Sequence, residues 1–361
     1  MSTSNGASRD ATGCHRRPRP RLCVCLVASS LALLCGGTAS ATATVLPTVT
    51  IGKVVNTIAF TAVDVAQAQG YFKRNGVNVN EVLLQGGSAT ANAALFAGSV
   101  QFLCQGAITL MPARTRGVPV LAIDGLDNGV GLQLLVSKRW LSKHPISADA
   151  TFKQKMADLN GSTLAAVGGP LPTSFFGLLR GWAGLPPKTG YKVVDVGSQA
   201  AVTLALQHGL VDVAIESPPL SYRLTLGGSA KDLLDRRDVP RFNNVAYDTL
   251  TTTTSYAHDH PNRTRDVATA IAEAVNFMRD HPNQMIAFEH RHFSKLSKTV
   301  LKKSLANIPL VKDALQSQTN WNRAMSLAQQ SYIVKGVKST PEGVYWTNTY
   351  IDRARLRQSQ E

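Results

Sequence analysis

Apolar and polar positions along the chain follow two alternating periods. The β-branched run 49–55, with Val49, Ile51, Val54 and Val55, has the density of a buried strand, and residues 59–69 continue with helical spacing up to Gly70. Residues 78–84 predict the next strand, Ser88 is placed to cap a helix that runs to Ala97 before Gly98, and residues 100–104 predict another strand. Strands and helices joined by short connections imply an open, mainly parallel sheet. The succession then begins again. Strand-like runs at 131–136, 163–167, 191–196 and 211–215 are interleaved with helices over 174–182 and after Ser198. Beyond residue 245 the pattern predicts a strand over 249–256, a helix over 262–278 and further helices within 296–334. The polar tail carrying Arg353, Arg355 and Arg357 is expected to fray.

The second round resembles the first at a fixed offset of 111 residues. Ala94-Leu95-Phe96-Ala97-Gly98-Ser99-Val100-Gln101-Phe102 falls on Ala205-Leu206-Gln207-His208-Gly209-Leu210-Val211-Asp212-Val213, and Gly86 falls on Gly197. Two copies are too few for a solenoid and fit two lobes built on one βαβ plan, which a length of 361 residues accommodates. The expected architecture is α/β and two-lobed, each lobe a mainly parallel sheet flanked by helices. Residues 44–129 would form the first part of lobe 1, 130–250 lobe 2, and 251–361 the second, helical part of lobe 1. Two crossing segments, near 127–131 and 246–257, would then lie side by side as a hinge.

Residues 1–43 read differently. Arg16, Arg17, Arg19 and Arg21 precede a short apolar run over 22–34, and small residues around Ala39, Ala41 and Ala43 fit a cleavage site. That order describes a secretory signal peptide, with an uncleaved membrane anchor as the alternative. Four of the five cysteines fall inside it, leaving Cys104 alone in an apolar strand, where it reads as a small core residue. The formal net charge of +15 is spread along the chain. Spread in this way, it suits an anionic ligand or surface better than nucleic acid, for which no interleaved basic and aromatic pattern is present.

In an open parallel sheet, ligands bind beyond the carboxyl ends of the strands, where helices begin and present unpaired N–H groups. That rule selects Asn56 and Thr57; Gly87, Ser88 and Ala89; Gln105, Gly106 and Ala107; Pro172, Thr173 and Ser174 at the end of a glycine loop; and Glu216, Ser217 and Pro218. Several converging helix starts could hold a small anion. Glu216 is the exception: it marks either the positive end of the ligand or a loop acid outside the pocket. No phosphate-binding loop, nucleophile elbow, H-E-x-x-H or Cys-x-x-Cys motif is present. His258 with His260, and His290 with His292, have the spacing of surface residues rather than metal ligands. No metal, cofactor or catalytic residue is expected, so the chain reads as a binding protein rather than an enzyme.

The run Ala66-Gln67-Ala68-Gln69-Gly70-Tyr71-Phe72-Lys73-Arg74-Asn75-Gly76-Val77, followed by Gln85-Gly86-Gly87-Ser88, residues 94–101 and Arg116-Gly117-Val118-Pro119-Val120, resembles a known family. This is the family of periplasmic receptors of ABC transporters for aliphatic sulfonates, nitrate and taurine, with the related thiamine-pyrimidine precursor binders. Gln101 departs from the family's Asp, which Asp212 keeps in the second copy, and the tail beyond residue 285 is long. The resemblance implies a type II periplasmic-binding fold, a periplasmic monomer closing over a small organic anion or zwitterion, and delivery to a permease with its ATPase. Two alternatives stand beside it: an exported enzyme acting on a small metabolite or pyrimidine in the cleft, and a periplasmic sensor subunit. Relatives that became enzymes carry a cysteine-rich motif that this chain lacks.

Overall fold

The computed structural model describes residues 45–84, 86–167, 171–292, 294–331, 333–337 and 339–358. The expected signal segment and positions 168–170 of the glycine loop lie outside the described residues. Among the described residues there are ten strands: β1 (Thr48–Lys53), β2 (Asn78–Leu83), β3 (Phe102–Gly106), β4 (Val120–Gly125), β5 (Gln133–Ser137), β6 (Thr163–Ala166), β7 (Lys192–Asp195), β8 (Val213–Glu216), β9 (Ala230–Leu234) and β10 (Asp248–Thr253). They form two five-stranded sheets, ordered β2-β1-β3-β10-β4 and β7-β6-β8-β5-β9. β10 runs antiparallel to β3 and β4, and β5 antiparallel to β8 and β9, while the other pairings are parallel. Both sheets therefore share one plan. The opposed strand in each is the first one laid down after the chain crosses from the other sheet.

The internal repeat is visible in backbone geometry. Gly86 and Gly197 precede equivalent helices, Gly87–Phe96 and Gln199–Gln207, and Gly98 and Gly209 follow them. All four have positive φ, at 95°, 74°, 73° and 64°, a conformation that side chains with a Cβ resist. The departure at Gln101 is explained by a shared bond. Gln101 Oε1 accepts the Thr50 N–H at 2.8 Å, and Asp212 Oδ2 accepts the Thr163 N–H at 2.9 Å. An amide oxygen thus does the work of the carboxylate in the first copy.

Several local expectations are corrected. Ser88 does not cap its helix: Gly86 holds the cap position in a left-handed conformation, and Ser88 lies in the first turn. The helix Leu171–Trp182 begins before Ser174, because Pro172 fits a first turn whose N–H groups have no helical partner. β10 stops at Thr253, whose hydroxyl accepts the Tyr256 N–H at 3.1 Å and starts the helix Thr254–Asp259 where a continuing strand was expected. Nor does the tail fray through residue 358. It forms the helix Arg353–Gln358, with Leu356 buried and Arg355 paired to Asp266 at 2.8 Å.

The second crossing, expected at 246–257, lies at 235–247, because residues 248–253 form β10 and 254–259 a helix; it runs alongside the first crossing, residues 126–132. Leu126 N–H donates to the Asp248 carbonyl at 2.8 Å, and Val130 N–H to the Phe242 carbonyl at 2.9 Å. A third segment, residues 307–311, packs against the first crossing: Asn128 N–H donates to Pro309 O at 3.0 Å, Val311 N–H to Leu126 O at 3.1 Å, and Asn307 Nδ2 to Gly131 O at 3.2 Å. At Gly129 there is no room for a side chain. A Cβ there would lie 2.8 Å from Pro309 Cγ, 3.0 Å from Arg236 Cδ and 3.4 Å from the Phe242 carbonyl oxygen. Gly129→Ala is expected to cost about 1–3 kcal/mol by overpacking, read as a lower urea midpoint at unchanged m. An unaltered midpoint would contradict this close approach.

The C-terminal region closes the outer edge of the first sheet. Ala122 of β4 donates its N–H to Tyr345 O at 3.0 Å and accepts the Thr347 N–H at 2.9 Å. Behind it, the helix Gln318–Gln330 packs on the helix Ala107–Thr115 and carries Trp321, which is fully buried.

Candidate functional site

The carboxyl ends of β1 and β8 bring the lobes into contact. Thr57, buried and extended ahead of a short 3-10 turn, makes no cap bond with its side chain; its hydroxyl donates instead to the Pro218 carbonyl at 3.1 Å, 161 residues away in the other lobe. Beside this bond a cavity of about 440 Å³ opens between the lobes. One lobe supplies Asn56, Ser294, Lys295 and Leu296. The other supplies Gln199, Ala200 and Thr203 from the helix Gln199–Gln207, and Pro219, Leu220 and Arg223 at the helix Leu220–Leu226.

The lining combines three kinds of surface. Ala200, Pro219, Leu220 and Leu296 are apolar, Asn56, Gln199, Thr203 and Ser294 offer neutral hydrogen-bonding groups, and Arg223 and Lys295 bring positive charge, one from each lobe. No acid is among these lining residues. Ser198 caps the helix at the cavity wall by accepting the Ala201 N–H at 3.2 Å, which fixes the direction of Gln199.

Glu216 lies one layer behind. It sits on the same face of β8 as Ala214, beneath the helix Gln199–Gln207, and is 5% exposed. Its Oε2 accepts from Gln199 Nε2 at 3.1 Å. Burial pushes its carboxyl up to about 8, against the opposing effect of the Gln199 hydrogen bond. Glu216 therefore positions Gln199 from behind, and its carboxyl is not among the groups that line the cavity.

The residues chosen from strand ends separate into groups. Asn56 lines the cavity, Thr57 and Pro218 make the interlobe bond, and Ser217 accepts the Ser221 N–H at 3.2 Å. Gln105 is wholly buried. It exchanges hydrogen bonds with Asn92 at 3.1 and 3.2 Å, donates to Thr251 Oγ1 at 3.0 Å and accepts from Thr109 at 3.2 Å. Gly106 and Ala107 meet the second crossing, where the Ala107 N–H donates to Tyr247 O at 2.6 Å. Gly87, Ser88 and Ala89, and Pro172, Thr173 and Ser174, occupy first helical turns and do not line this cavity.

Sequence reasoning passed over Gln199, Thr203, Arg223 and residues 294–296. The 111-residue repeat contained a signal for the first, since Gly197-Ser198 occupies the place of Gly86-Gly87. Residues 294–296 follow no strand, so the strand-end rule could not reach them.

Among curated proteins none matches the sequence. The alkanesulfonate-binding protein SsuA from Xanthomonas axonopodis pv. citri, solved bound to MOPS, is similar at a TM-score of 0.63 and 19% identity, over 79% of this chain and 92% of that one. The periplasmic nitrate-binding protein NrtA from Synechocystis PCC 6803 is similar at a TM-score of 0.62 and 13% identity, over 87% and 88%. The desulfurization enzyme DSZB is similar at 0.55 and 13%, over 87% and 99%. At these identities the likenesses establish the periplasmic-binding-protein fold. The family model described as NMT1/THI5 like matches residues 57–285, well over half of the sequence and including Gln199 and Arg223 of the cavity, and the chain belongs to that family.

Proposed function

We propose that the protein is an exported, periplasmic solute-binding protein that captures a small organic anion between its lobes and, as a monomer, hands it to an ABC permease with its ATPase. The observation that carries this reading is the pair of cations, Arg223 and Lys295, facing one interlobe cavity from opposite lobes with no acid among its lining residues. An anion held by both would favour the closed arrangement, because each lobe contributes attraction only when the two are together. A cavity of about 440 Å³ is in the range of small-molecule sites, and its apolar walls suit a ligand with a hydrocarbon body. An alkanesulfonate or taurine-like compound therefore ranks ahead of nitrate, in keeping with what SsuA binds.

In this reading lobe 1 comprises residues 44–129 and 248–361, because β10 pairs with β3 and β4 from Asp248 onward where a boundary at 250 was expected, lobe 2 comprises 130–247, and residues 1–43 are removed on export. Asn56 and Gln199 contact the ligand, Glu216 orients Gln199, Thr57 and Pro218 latch the lobes, and the buried Gln105 stiffens the sheet behind them. Thermal unfolding against a panel of alkanesulfonates, taurine, nitrate, amino acids and pyrimidines tests it. One anion at about 100 times its dissociation constant should add about 2.7 kcal/mol of stability. A response confined to cations or uncharged pyrimidines would refute the anion assignment.

The fold shared with DSZB favours a second reading, an enzyme acting in the same cleft. Mass spectrometry of the same mixtures decides between them, since a receptor returns its ligand unchanged.

A further inference from the structure

Two buried carboxyl groups face one another across the hinge, one from each crossing. Asp127 belongs to the first crossing and Asp248 begins β10 at the end of the second; they are 1% and 8% exposed. Asp127 Oδ1 accepts the Asp248 N–H at 3.1 Å, which sets the two buried carboxyl groups beside each other. Two bare carboxylates in contact, without water, repel strongly, which favours a proton on one of them.

The surroundings offer no cation to replace that proton. Tyr247, on the same crossing as Asp248, is buried, and both aspartates push its phenol further up than burial alone. Cys104 of β3, also near Asp248, is held as a thiol mainly by burial. Segment 307–311 brings only Asn307, Ile308, Pro309, Leu310 and Val311. Arg236 reaches toward the hinge, but its guanidinium donates to Asn243 and to the Asn307 carbonyl. Asp124, at the end of β4, is a further acid, fully buried with neither oxygen partnered. Among the described residues no lysine, arginine or histidine is ion-paired with Asp127 or Asp248.

We propose that Asp127 and Asp248 form a proton-binding site in the hinge, whose shared proton ties the two crossings together, so that losing it loosens the hinge and spreads the lobes. The site is independent of which solute occupies the cleft. Burial supports it by raising both carboxyls, Asp248 to about 7. The sign follows from linkage: the folded hinge holds its proton more tightly than an unfolded aspartate near 3.9. Its contribution to stability is complete below that value and disappears as pH rises through about 7.

The test needs no ligand. Urea unfolding of the purified protein from about pH 4 to about pH 8 should show the wild type losing stability with rising pH, by up to tenfold in the unfolding constant per pH unit for one linked proton. Asp127→Asn keeps the shape and can donate to Asp248 without a titrating proton, so its slope should fall by about one proton. Small-angle scattering should show the wild type expanding between about pH 6 and about pH 8.5, and the variant constant. Equal slopes in the two proteins, or a wild type whose dimensions ignore pH, would overturn the proposal. Should Asp127→Asn fail to fold, Asp248→Asn is read by the same two measurements. Loss of solute binding would leave all these outcomes untouched, which keeps failure of the hinge proposal separate from failure of the receptor reading.

Discussion

Replacing both cavity cations, Arg223→Gln together with Lys295→Gln, is expected to weaken binding of the anion selected by the panel about 100-fold, with little change in folding stability. A hydrogen bond to a charged group contributes about 1.5–3 kcal/mol. Arg223 and Lys295 are both solvent-exposed, so screening argues for the lower end at each. Two such losses come to about 3 kcal/mol, or about two powers of ten in affinity. Glutamine keeps most of the side-chain bulk and some hydrogen-bonding capacity, so the substitutions test charge rather than shape. Titration calorimetry at two salt concentrations measures the effect, and the wild type should lose affinity with salt more steeply than the variant. Affinity within about threefold of wild type would move the anion away from this cavity, toward the strand-end groups near Gly87 and Thr173.

The second large effect is on stability. Trp321 is fully buried, its indole N–H donates to Gln316 Oε1 at 3.0 Å, and Trp346 stacks parallel to it with ring centroids 6.5 Å apart. Gln316 in turn donates to Ala122 O at 3.3 Å and Thr347 O at 3.0 Å, linking the helix to the edge of the first sheet. Trp321→Ala removes a large apolar side chain and orphans a buried acceptor, so a loss of about 3–5 kcal/mol is expected. Chemical denaturation at equilibrium measures it. A loss under about 1 kcal/mol would mean that the C-terminal helix contributes little to the core.

The fold was legible wherever chemistry was local and repeated. Glycines at 86, 98, 197 and 209 announced the helix boundaries, because only a residue without a Cβ takes those φ values cheaply. β-branched residues marked β1 and β8, and the 111-residue offset placed β3 on β8. Local pattern failed where a neighbour decided. Thr254, Ser255 and Tyr256 read as a continuing strand, yet the Thr253 hydroxyl turns the chain into a helix. Glu216 looked like a charge in the binding loop; its burial behind Gln199 follows from the packing of a helix over β8, which strand periodicity does not describe. The cavity wall at Ser294 to Leu296 and the bracing segment at Asn307, which reaches Gly131 176 positions away, depend on contacts between distant parts of the chain, for which a single sequence carries no signal.

The placement of β10 also sets the order in which the molecule can be completed. The first sheet needs this strand between β3 and β4, yet β3 and β4 are finished by Gly125 and β10 begins only at Asp248. A chain emerging from the ribosome, or from a narrow translocation channel, would therefore present an unfinished sheet until most of its length had been delivered. Closing so long a loop is slow, so the first sheet to be started is the last to be finished.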